Sequence, residues 1–139
     1  MRYHKDPLAS VRLIASISEQ PKANADRIML KLRVAYEKLK HGTEDDDQFD
    51  QLAAAINVGS VRAESIAPEV VETMTAGVQA MNNCARIQLE HGRYGFAGPD
   101  LIAMNDALEL YDGILRLSTP KQMTDALHVA CRRMERETA

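Results

Sequence analysis

Residues 99–117 read PDLIAMNDALELYDGILRL, and two apolar edges run along that stretch. One is Leu101, Met104, Leu108, Tyr111 and Leu115; the other is Ala107, Leu110, Ile114 and Leu117. Steps of three and four residues match a helical turn, so the segment is predicted to be a helix. Gly98 followed by Pro99 marks its start, because proline fits the first helical position, where no amide donor is needed. Two apolar edges on one helix predict a central position, covered on both sides.

The same punctuation recurs outward from there. Asp6 with Pro7, Ala67 with Pro68 and Thr119 with Pro120 are further starts, while His41 with Gly42 and His91 with Gly92 are stops. The spacing predicts helices over 7–19, 23–41, 44–66, 68–91, 99–117 and 120–136. Single apolar stripes support five of them. Leu8, Val11, Leu13, Ile14 and Ile17 form the first, and Ile28, Met29, Leu32, Ala35, Tyr36 and Leu39 the second. Phe49, Leu52, Ile56 and Ile66 form the third, in which Gly59 either lets a neighbour approach or breaks the helix. The fourth carries Val71, Met74, Val78, Met81 and Ala85, and the sixth Met123, Leu127, Ala130 and Met134. The charged end from Arg132 to Glu137 is expected to fray. With alternating β-branched runs missing, the expected fold is all-α: a compact bundle of about six helices, helix five central, in one domain over 1–139.

Composition agrees. A chain of 139 residues, 45% hydrophobic and 27% charged, suits one domain with its own core. Aromatics make up 4% and Trp is absent, so that core must be aliphatic side chains and methionine. The longest uninterrupted apolar run, Leu52 to Ile56, is far short of a signal peptide or membrane span, which predicts a cytoplasmic protein with no membrane partner. Cys84 and Cys131 are then expected as reduced thiols without a disulfide. Net charge is −3, but it is unevenly spread. Residues 1–42 hold nine Lys or Arg against four Asp or Glu, residues 43–80 one against eight, and residues 81–139 seven against eight. Such polarity can orient a partner or a second copy.

Candidate chemistry is sparse. Gln51, Ala55, Gly59 and Val61 have the spacing of a helix-turn-helix, but Ser65 and Pro68 fall where its recognition helix should run, and the segment is acidic. His128 and Cys131, three apart, could chelate a metal or centre an enzyme; Cys84 and His91, seven apart, are too distant to share one ion. Packed, inert cysteines are the simpler reading, so no metal, cofactor or catalytic residue is expected. Gly92 to Gly98 opens a helix but lacks the lysine and hydroxyl residue of a phosphate loop. The four His, at 4, 41, 91 and 128, are scattered.

Two groups remain as interaction candidates. Glu44, Asp45, Asp46, Asp47 and Asp50 lie at a predicted helix start, where carboxylates favour the helix dipole, yet the same patch could meet a basic protein surface. Arg93, Tyr94 and Phe96 form the other; the two aromatics either plug one end of the bundle or serve as an interface hot spot, and the plug outweighs the hot spot. A nucleic-acid alternative rests on Lys22, Arg27, Lys31, Arg33, Lys38 and Lys40 of the second helix.

The stretch Val61, Arg62, Ala63, Glu64 with Ile66, together with Gly92, Arg93, Tyr94, Gly95, Phe96, Ala97, Gly98 and Pro99, resembles small uncharacterised helical proteins carried in phage, plasmid and prophage regions of proteobacteria. The resemblance covers residues 50 to 123 and lies in packing motifs, so it carries over no active residue. It implies an accessory protein that binds a host or element protein. The expected function is therefore a non-enzymatic interaction module, homodimeric, that inhibits or adapts a protein partner.

Overall fold

A computed structural model describes residues 21–138, with side chains described over 23–137. The helix expected over 7–19, with Leu8, Val11, Leu13, Ile14 and Ile17, lies outside the described residues. So do His4 and the side chain of Lys22. The described chain is all-helical and holds five helices with no strand: α1 Pro21–Lys40, α2 Asp46–Ala63, α3 Pro68–His91, α4 Gly98–Leu117 and α5 Pro120–Thr138.

Local chemistry sets the ends. Pro21, Pro68, Pro99 and Pro120 each lie at a helix start, where a missing amide hydrogen leaves no bond unmade. Gly42 and Gly92 stop α1 and α3 with φ of 88° and 79°, a left-handed backbone that glycine adopts without a Cβ clash. The 44–66 helix is shorter at both ends than its apolar spacing suggests. Asp45 accepts the Asp47 amide at 2.9 Å and so stands just outside α2 as its cap. At the other end the amides of Glu64, Ser65 and Ile66 each bond three residues back, a tightened turn before Pro68. Through Gly59 the helix is unbroken, so the turn of a helix-turn-helix is absent there.

The hub is α2, and helix five of the sequence reading, now α4, is not the central element. No residue from Gln48 to Ala63 is exposed, and α2 packs against all four other helices. Its small residues explain this. A Cβ on Gly59 would stand 2.7 Å from both the Met74 Cε and the Tyr111 Cδ1, so the missing side chain is what lets α3 and α4 close on α2. Gly77 of α3 does the same against Ala107 of α4. By contrast α4 buries one broad face, Met104, Ala107, Leu108, Tyr111, Ile114 and Leu115, and exposes Ile102, Asp106, Glu109 and Leu117.

The core is aliphatic and methionine-rich, as the composition demands, with Met74, Met81, Met104 and Met123 sealed beside Leu32, Leu52, Ile56 and Leu108. Each fully buried side chain of this size contributes about 1.5–3 kcal/mol before conformational entropy is charged against it. Polar ties cross the surface: Arg116 bridges Asp26 of α1 and Asp112, Arg62 donates to the Ser118 hydroxyl, and Arg133 forks onto both oxygens of Glu64. That last pair fastens the charged end of α5, which stays helical through Thr138 rather than fraying. No helix among the described residues is long and apolar enough to cross a membrane.

Candidate interaction site

The two candidate groups, about fifty residues apart in the chain, meet at one end of the bundle. The α1–α2 connection, 41–45, and the α3–α4 loop, 92–97, lie side by side there because α1 and α3 both stop at that end with a His-Gly pair. Arg93 donates from Nε at 3.0 Å and from Nη2 to the Gly42 carbonyl, and the Tyr94 amide donates to the Thr43 carbonyl at 2.9 Å.

Tyr94 holds the arrangement from within. It is 4% exposed and stacked on Phe49, with centroids 4.8 Å apart and planes 10° from parallel, and its hydroxyl donates to Asp46 Oδ1 at 2.5 Å. Burial raises its pKa, and the hydrogen bond to Asp46 and the charges of Asp46 and half-buried Asp50 raise it further, so it stays a donor. Phe96 meets Tyr36 edge-on at 5.5 Å, the Tyr36 hydroxyl donates to the Leu101 carbonyl at 3.2 Å, and Lys40 Nζ stands 5.2 Å over the Tyr36 ring. The aromatics therefore plug the bundle end.

The acidic residues divide by role. Thr43 Oγ1 accepts the Asp45 amide at 3.0 Å and Asp45 caps α2, so part of this cluster is the ordinary chemistry of a helix start. Asp46 anchors Tyr94. Glu44, Asp45, Asp46, Asp47 and Arg93 are nonetheless exposed, giving an edge of short carboxylates whose backbone is tied down on both sides. Sequence reading names both halves and places Tyr36 and Phe49 in the core stripes, but it does not join them to the site, nor Thr43, whose carbonyl takes the Tyr94 amide. The paired His-Gly stops were the available signal, since they mark two chain reversals of the same kind.

The alternatives are dispersed. On α1, Arg27, Lys31 and Lys38 share one exposed side, whereas Lys40 is paired with Glu37 and Arg33 is half-buried, so the cations do not form one stripe. His128 is exposed and Cys131 half-buried on α5, and among the described residues no three His, Cys, Asp or Glu side chains come together to hold a metal. Both cysteines are free; burial pushes the Cys84 thiol up to about 12 against an opposing Gly95 backbone hydrogen bond, and burial also raises Cys131. Neither is an activated nucleophile. Compared with protein-family models, curated proteins and solved structures, the chain finds no match.

Proposed function

We propose that the protein is a non-enzymatic helical interaction module whose edge of Glu44, Asp45, Asp46 and Asp47, buttressed by Arg93, Tyr94 and Phe96, docks a basic surface on another protein. One observation supports this above the rest: the Tyr94–Asp46 bond and the Arg93–Gly42 contact fix in advance the backbone that presents the acids. A preset edge loses little conformational entropy on binding, and short aspartates lose less than long side chains would. In the setting that the resemblance implies, a mobile element in a bacterial cytoplasm, the specific form is an inhibitor or adaptor of a host protein.

The test is capture from a lysate of the producing cell, comparing the wild-type chain with a Glu44→Lys/Asp47→Lys variant and with a Glu109→Lys control on α4. The reading expects one protein to be held by the wild type and the control and lost by the edge variant. Equal capture by all three contradicts it. Duplex DNA serves as the competing ligand: three exposed cations on one side of α1 can release few counterions, so the salt slope of any binding should not exceed about 3.

A further inference from the structure

We draw no further inference here: the strongest candidate, the exposed apolar patch of Leu30 and Val34 on the outward side of α1, is bordered by charges of both signs that are already paired in part within the chain, and nothing in the structure shows what covers it.

Discussion

The Tyr94 hydroxyl donates to Asp46 Oδ1 across forty-eight positions of chain, joining the α3–α4 loop to the first turn of α2. Tyr94→Phe keeps the stack on Phe49 and removes this one bond. Because Asp46 is exposed, the loss should be about 1–2 kcal/mol, toward the lower end of the roughly 1.5–3 kcal/mol of a hydrogen bond to a charged group. Urea unfolding should show a lower midpoint at unchanged slope, and amide exchange at Thr43 to Asp47 should quicken.

A second buried tyrosine predicts the opposite. Tyr111 is fully buried between α2 and α3, and its hydroxyl has no hydrogen-bond partner among the described residues. Phenylalanine there removes an unpartnered polar group at nearly constant shape, so Tyr111→Phe should leave stability unchanged within about 0.5 kcal/mol or raise it. A clear loss would reveal a partner for that oxygen.

Glycines on α3 and α4 separate in the same way. A Cβ on Gly77 would stand 2.6 Å from Ala107 Cβ, an atom fixed to its own backbone, so α3 and α4 must part and Gly77→Ala should cost about 1–3 kcal/mol. Nothing lies within 4 Å of a Cβ at Gly113. Gly113→Ala should therefore stabilise α4 by about 0.5–1 kcal/mol through backbone entropy alone. Thermal midpoints of the two variants should move in opposite directions.

Much of this was readable in advance, and the exceptions have a common cause. Helix 68–91 follows from Pro68 and Gly92 to the residue, because its signals are local. Counting large apolar residues favours 99–117 as the hub, whereas close approach around α2 depends on the absence of a side chain at Gly59, a signal that apolar spacing does not carry. The start of α2 falls later than the apolar spacing predicts because the Asp45 side chain acts as the cap, and its end falls earlier because the 64–66 amides bond three residues back. The site was half legible. Arg93, Tyr94, Phe96 and the acids stood out by composition, but nothing local to either segment says that Tyr94 reaches Asp46 or that Arg93 reaches Gly42.

Cys84 gives the fold a dependence on alkaline pH. Its thiol is raised from 9.0 to about 12, mainly by burial, so between those values the folded state holds a proton that the unfolded state has released. This contribution is complete below pH 9 and is lost as pH rises toward 12, with a slope of up to about 1.4 kcal/mol per pH unit. Unfolding between pH 8 and 10 should show that decline, and Cys84→Ala, less stable at neutral pH for its cavity, should show a shallower one. Equal slopes would mean that Cys84 ionises within the fold.

The most direct test of the acidic edge is a set of amide NMR spectra of the labelled chain titrated with the captured partner. Docking there predicts shifts concentrated in residues 43–50 and 91–97, with α5 and the exposed side of α4 unmoved. Shifts centred on α4 or α5, with 43–50 unchanged, would contradict it.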